Sequence, residues 1–183
     1  IRGLSVACSE NQCSLIGGET AEMPGFYKKN EYDISGTITG VVEKEGMLSN
    51  RNISDGDILL GLHSTGLHTN GYSLARKALL TKFKVGEYVE DLGETVGESL
   101  LSIHKSYLAP VSNLLEKDYL VGISHVTGGG IVENTERIIK DSQSVNISWD
   151  KWDWPYIFTL IQNEGNVPTE DMRRSMNLGI GMI

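Results

Sequence analysis

The chain has 183 residues, enough to bury a core and to form one domain or one and a fraction. Its formal charge of −8, with Lys and Arg scattered rather than clustered, excludes nucleic acid as a partner. No apolar run approaches the roughly 20 residues that cross a membrane, and the two cysteines, Cys8 and Cys13, make neither a disulfide framework nor a metal-binding pair. A reduced, cytoplasmic setting is therefore the expectation.

Residues 1–10 read as the last turns of a helix that begins upstream, and 13–16 as the end of a buried strand. The next stretch, Ile16-Gly17-Gly18-Glu19-Thr20-Ala21-Glu22-Met23-Pro24-Gly25, carries the most information. Two glycines allow a sharp turn lying close to a ligand, and Pro24-Gly25 stops any helix. Carboxylates accept hydrogen bonds but cannot donate them, so Glu19 and Glu22 suit a hard cation such as Mg²⁺ shared with nucleotide phosphates. The same residues also read as a tight turn with two solvated glutamates. Residues 32–42 alternate, with Ile34, Gly36, Ile38, Gly40 and Val42 on one face, the pattern of a strand with one polar face. Residues 45–57 are polar and turn-rich and read as a linker, which places a domain boundary there.

Beyond it one device occurs twice. A buried strand at 58–62 leads through a small-residue loop at 63–71 to a helix at 72–80. A strand at 120–124 leads through 125–130 to a helix at 131–139, with Ile131, Thr135, Ile138 and Ile139 on one face. Between the two units, 98–115 reads as helical with an interruption near Pro110, and His104 falls inside it. Trp149, Trp152 and Trp154 precede a helix at 155–162 and read as packing residues, since no repeat of propeller period exists. Residues 176–183 read as a strand or strand-turn. Strands interspersed with helices give an α+β class with α/β-like layers.

A strand that opens through small residues into a helix exposes unpaired N–H groups to an anion. Ser64, Thr65, Gly66, His68, Thr69, Asn70 and Gly71 add hydroxyl, amide and imidazole donors in the first loop. His125, Thr127, Gly128, Gly129 and Gly130 do so in the second. Ordinary capped strand-to-helix loops are the alternative for each. Neither loop is a P-loop or a dinucleotide fingerprint. The histidine spacings do not pair as metal ligands, and His68 and His125 are the candidates for proton transfer because they lie in the loops. No nucleophilic Ser-His-Asp or Cys-His arrangement can be read from the spacing.

Four motifs then occur in order: Gly17-Gly18-Glu19-Thr20-Ala21-Glu22-Met23-Pro24-Gly25, His68-Thr69-Asn70-Gly71-Tyr72-Ser73-Leu74, His125-Val126-Thr127-Gly128-Gly129-Gly130 and Asn177-Leu178-Gly179-Ile180-Gly181-Met182. With them the whole chain resembles the phosphoribosylformylglycinamidine cyclo-ligase (aminoimidazole ribonucleotide synthetase) family. The resemblance implies ATP- and Mg²⁺-dependent ring closure of formylglycinamidine ribonucleotide in purine synthesis. In that reaction a phosphorylated amide oxygen is displaced by the amidine nitrogen. It also implies a homodimeric parent protein. Glu19 and Glu22 fall to the metal–nucleotide side, and the His68 and His125 loops to the phosphoribosyl substrate. Asn177 lines the same cleft and falls with Glu19 and Glu22 to the nucleotide and metal side. Residues 1–44 correspond to the tail of an N-terminal ATP-binding and dimerisation domain, and 58–183 to most of a C-terminal α/β/α domain.

The family's Asp-Gly-Val-Gly-Thr-Lys segment is expected upstream of Ile1, and a final segment beyond Ile183. The chain alone is therefore expected to bind ATP poorly and not to turn over. Where family members commonly read Pro-Thr-Arg-Ile-Tyr-Val-Lys, this chain has Ile103-His104-Lys105-Ser106-Tyr107-Leu108-Ala109, so a ligand role there does not carry over. Sister ATP-using families (thiamine-monophosphate kinase, selenophosphate synthetase, formylglycinamidine ribonucleotide synthase) tend to carry Asp where this chain has Glu19. A phosphate-binding or dimer-forming piece without catalysis is the other alternative.

Overall fold

Two compact units, Ile1–Met47 and Leu48–Ile183, make up the computed structural model, which describes residues 1–48, 53–115, 117 and 119–183. The first unit holds helix α1 (Arg2–Glu10), which has no buried residue, and a single 3-10 turn at Lys44–Gly46. Its best-formed turn is at Pro24-Gly25, where Phe26 N–H donates to Met23 O at 3.1 Å. Pro24 fixes one φ, and Gly25 takes φ +83°, the positive value that the third position of a type II turn requires. The expected turn at Gly17-Gly18 does not form.

Nor do the strands expected at 13–16 and 32–42. Both stretches lie outside any ladder, and Ile34 and Ile38 are 69% and 83% exposed. Alternation marks a face that can be buried. A strand also needs a neighbour to take its N–H and C=O groups, and among the described residues of this unit none does.

The second unit is organised around helix α2 (Tyr72–Leu79) and helix α6 (Tyr156–Gly165). Ala75, Ala78 and Leu79 fall three and four residues apart, so they share one stripe of α2, and all are buried. Arg76 and Lys77 occupy its last turn, where cations suit the negative end of the helix dipole. The stripe packs with Ile157, Phe158, Leu160 and Ile161 of α6, and Val96, Leu100, Met172, Met176 and Leu178 complete the cluster. Fully burying one such large side chain contributes roughly 1.5–3 kcal/mol. Helix α7 (Thr169–Ser175) has Glu170 and Asp171 in its first turn and Arg173 and Arg174 in its last, the polarity its dipole favours.

A small sheet holds the two loops. Strand β1 (Leu62–His63) pairs antiparallel with β4 (Ile180–Met182), with an irregularity between Leu62 and His63. β4 also pairs with the chain at 124–126. Ser124 and Ile183 exchange N–H···O bonds of 2.7 and 2.9 Å, Val126 N–H donates to Gly181 O at 3.0 Å, and His125 bridges Met182. The strands expected at 58–62 and 120–124 are thus confined to their last residues. A separate hairpin pairs β2 (Tyr88–Val89) with β3 (Glu94–Thr95). It leads into α3 (Val96–Leu100), capped reciprocally by Thr95 and Glu98.

The single interrupted helix expected at 98–115 is two helices. α3 ends at Leu100, α4 (Leu108–Leu115) begins after seven intervening residues, and 101–107 is irregular. Pro110 does not interrupt α4 but sits in its first turn, where a missing N–H costs nothing. Helix α5 (Gly130–Glu136) stops short of the expected 139. The linker expected at 45–57 includes 49–52, which lie outside the described residues. Its last part is anchored, since the Gln143 side-chain amide donates to Ile53 O at 3.3 Å and to the Asp55 carboxylate at 3.1 Å. Trp149 and Trp152 pack on one another as expected, 5.5 Å between rings, and Arg173 lies 4.4 Å over Trp149. The mixture of helices and short sheets is an α+β fold. Among the described residues no helix is long and apolar enough to cross a membrane.

Candidate functional site

The first loop is shaped by one buried amide. The Asn177 side-chain N–H₂ donates to Gly66 O at 2.8 Å, while its oxygen accepts from the Ser64 hydroxyl at 2.9 Å and from Gly179 N–H at 2.8 Å. Ser64 N–H donates to Gly179 O at 2.8 Å. Loop 64–66 is thereby fixed to the turn that precedes β4. Thr65 continues the bracing by donating its hydroxyl proton to Ile103 O at 2.6 Å. Tyr72 places its hydroxyl 2.9 Å from His68 O and 2.8 Å from Leu100 O. Gly71 caps α2 with φ +83° and no side-chain cap, so the first-turn N–H groups of α2 carry no capping side chain.

His68 is held in an unusual state. Its backbone adopts φ +58°, a left-handed conformation rare outside glycine and frequent at functional positions. The residue is only 5% exposed. Thr65 N–H donates to Nε2 at 3.1 Å, so the neutral ring carries its proton on Nδ1, and that buried atom has no partner. An unmet buried donor costs about 1–3 kcal/mol, which a ligand acceptor can recover.

Asn134 organises the second loop as Asn177 does the first. Its Nδ2 donates to Gly130 O at 2.7 Å and Gly128 O at 3.2 Å, and its oxygen accepts from the Thr127 hydroxyl at 3.0 Å. Ser124 closes the network by donating its hydroxyl to Asn134 O at 2.7 Å. With these carbonyls turned inward, no described backbone group takes the N–H of Gly128 or Gly129. The Glu133 carboxylate folds back toward Gly129, where a Cβ would meet its oxygen at 2.5 Å. This charge occupies the start of α5 and opposes an anion on that side of the loop.

The two loops face each other. A Cβ built on Gly128 would lie 3.7 Å from the Asn70 side-chain oxygen. His104 from the irregular 101–107 segment fills the gap, its ring stacked on His68 with centroids 3.9 Å and planes 16° apart, and 5.3 Å from the His125 ring. Nitrogens of the three rings lie within 4.8 Å of one another. Burial first, then the neighbouring His104, His125 and Lys105, lowers the His68 pKa from 6.5 to about 4. Burial and His125 lower that of His104. Burial raises the Tyr107 hydroxyl to about 12, and it donates to His63 O at 3.1 Å. The three rings could together hold a metal ion, which their spacing in sequence did not indicate, but the His68 and His104 planes lie only 16° apart, a poor geometry for one cation to share. The unpartnered Nδ1–H of His68, beside two loops with backbone N–H groups free among the described residues, suits an anionic acceptor.

The sequence pattern of the family described as AIR synthase related protein, C-terminal domain, matches residues 54–183. The chain belongs to that family. This AIR synthase-related chain is 44% identical over 185 residues to a protein of Alkaliphilus metalliredigens named phosphoribosylformylglycinamidine cyclo-ligase. It is 44% identical over 183 residues to one so named from Pseudothermotoga lettingae, and 45% over 185 residues to one from Citrifermentans bemidjiense. Each match takes in all of this chain and 53%, 54% and 53% of the respective relatives. The chain therefore spans about half the length of the curated relatives it matches.

In this AIR synthase-related unit, the loop residues singled out from sequence come together, and His104 joins them against expectation. Its spacing from His68 and His125 carries no signal, because the contact depends on 101–107 being irregular rather than helical. Asn134, which shapes the glycine loop, was also missed. An Asn four residues past a glycine run, in a helix that must share its first turn with that run, is the signal that could have found it. Glu19 and Glu22 are exposed in the first unit. A cavity of about 650 Å³ in the second unit lies beside Ile53, Ile131, Thr135 and Trp152 and includes no residue of 64–71 or 125–130.

Proposed function

We propose that this chain is part of a phosphoribosylformylglycinamidine cyclo-ligase, the enzyme that closes the imidazole ring of formylglycinamidine ribonucleotide with ATP and Mg²⁺. The observation that carries the reading is the convergence of Asn70, His68 and His125 from two donor-rich loops on one place. Ser64, Thr65, Gly66, His68, Thr69, Asn70 and Gly71, with Thr127, Gly128, Gly129 and Gly130, form the phosphoribosyl side. A phosphate monoester needs N–H and O–H donors at short range. The Ser64, Thr65 and Thr127 hydroxyls brace the loops from within. Among the described residues, the backbone N–H groups of Gly128 and Gly129 with the His68 Nδ1–H are the donors left for it. Asn177 acts by holding the first loop in place, since its side-chain polar atoms are engaged by Ser64, Gly66 and Gly179.

Glu19 and Glu22 fit the metal–nucleotide side in their chemistry. They are exposed hard-oxygen donors beside Gly17 and Gly18, where an added Cβ would meet nothing within 4 Å. Nucleotide and metal, when bound, supply the phosphoryl group that activates the amide oxygen. The chain's own part is to position the substrate and to neutralise developing charge, a type of catalysis that requires no nucleophilic side chain. The parent works as a homodimer in the cytoplasm.

The test is ATP-dependent formation of aminoimidazole ribonucleotide by the complete protein, with His68→Ala as the variant. The reading predicts product from the intact protein and a loss of at least about 100-fold in kcat/KM in the variant. Turnover of thiamine monophosphate instead, or no ATP-dependent ring closure, overturns it.

A further inference from the structure

We propose that His68, His104 and His125 form a cradle for a phosphate monoester dianion in which His68 donates its Nδ1–H and His104, the residue that joins the two loops into one site, takes up a proton. The inference rests on the phosphoribosyl reading above and adds to it a residue and a proton balance that the loops alone do not supply.

Two observations carry it. The rings come from three separate segments, 64–71, 101–107 and 124–126, yet their nitrogens lie within 4.8 Å. The His68 Nδ1 is buried without a partner, in a residue only 5% exposed, as a group awaiting an acceptor would be. Among the described residues, the groups packed near the rings carry one positive charge and one negative charge. Lys105 acts on His68 from the His104 segment, and the Tyr107 ring stands 6.1 Å from His68. The β4 strand contributes Gly181, against which the His68 ring edge rests. The negative charge is Glu133, behind the glycine loop beside Gly129.

With no carboxylate between them, the three rings cannot all be charged in the free protein, because each would repel the others. His68 and His104 are accordingly held neutral at pH 7. A dianion entering between the loops reverses that balance. It places negative charge within hydrogen-bond reach, and protons move from solvent onto imidazole nitrogen. The step is balanced by protons alone: no covalent bond is made or broken, and each imidazolium formed takes one H⁺ from buffer. Binding of the phosphate monoester is thereby coupled to proton uptake.

The experiment is an NMR titration of the histidine Cε1–H signals of this chain, with and without saturating ribose 5-phosphate. Calorimetry with the same probe in buffers of different ionisation enthalpy accompanies it. The expected result is an upward movement of the His104 midpoint by about one to three pH units, with net proton uptake at pH 7. His104→Phe, which keeps the stack but cannot be protonated, should bind ribose 5-phosphate about tenfold more weakly at pH 6.5. His104→Gln should behave likewise. Binding without proton uptake, or unchanged affinity in both variants, overturns the inference and leaves the phosphoribosyl reading standing. No binding of ribose 5-phosphate at any pH overturns both.

Discussion

The His104 ring lies flat on the His68 ring, 3.9 Å between centroids and 16° between planes. The stack closes His68 from solvent and sets a second imidazole beside it, and both effects disfavour its charged form. The consequence for stability has a definite sign. His68 titrates at about 4 when folded and near 6.5 when unfolded, so between those values the unfolded chain binds more protons. Stability is therefore full above about pH 6.5 and declines as the pH falls toward 4. Thermal melts from pH 7.5 to 4.5 should show this decline, and His68→Asn should flatten it. An unchanged slope in the variant would assign the acid sensitivity elsewhere.

Asn134 should matter for stability as well as for the shape of the glycine loop beside it. Replacing it with Ala removes the donor to Gly130 O at 2.7 Å and Gly128 O at 3.2 Å and leaves buried carbonyls unmet. The expected loss is about 2–3 kcal/mol by urea denaturation. Asn134→Asp should be no better, because it presents a second oxygen to carbonyls that require a donor. If the Asp variant is as stable as the parent, the side chain does not hold the loop.

The parts of this architecture legible in the sequence were those set by local rules. The strand–loop–helix device that bears His68 and His125, with helices near 72–80 and 131–139, was legible in the pattern, and so was the packing role of Trp149 and Trp152. What was not legible depends on partners distant in sequence. The alternation at 32–42 promised a ladder, but alternation records which side chains can be buried and cannot supply the neighbouring strand. His104 looked solitary because residues 98–115 read as nearly continuous helix. Instead, α3 stops at Leu100 after its capping box, and the irregular stretch beyond it brings the imidazole onto His68. Asn177 was read as lining a cleft, whereas its three short hydrogen bonds are all internal.

That arrangement separates two roles for Asn177. A residue that contacts nucleotide would change ATP affinity with little effect on stability. A residue that braces loop 64–66 should do the reverse. Asn177→Ala is expected to cost about 2 kcal/mol and to weaken ribose 5-phosphate binding in this chain. In the complete protein it should leave the KM for ATP within about twofold. A large rise in that KM with unchanged stability would return Asn177 to the nucleotide side.

Gly181 offers the sharpest test of how tightly the histidine site is built. A methyl group there would overlap the Tyr107 hydroxyl and approach the His68 Cε1 to 2.7 Å, so Gly181→Ala must displace one or both. Overpacking of this kind costs typically 1–3 kcal/mol. Tyr107→Phe alone forfeits the 3.1 Å bond to His63 O, about 1 kcal/mol, but it also removes the oxygen that the methyl would strike. The two changes should therefore compensate in part. The double variant is expected to be more stable than the sum of the single losses by about 0.5–1.5 kcal/mol, in the lower half of the range for residues in contact. Because the His68 edge remains in the way, rescue should stay incomplete, and ribose 5-phosphate binding should remain weakened in the double variant. Strict additivity in urea denaturation would mean that Gly181 and Tyr107 do not share the space assigned to them.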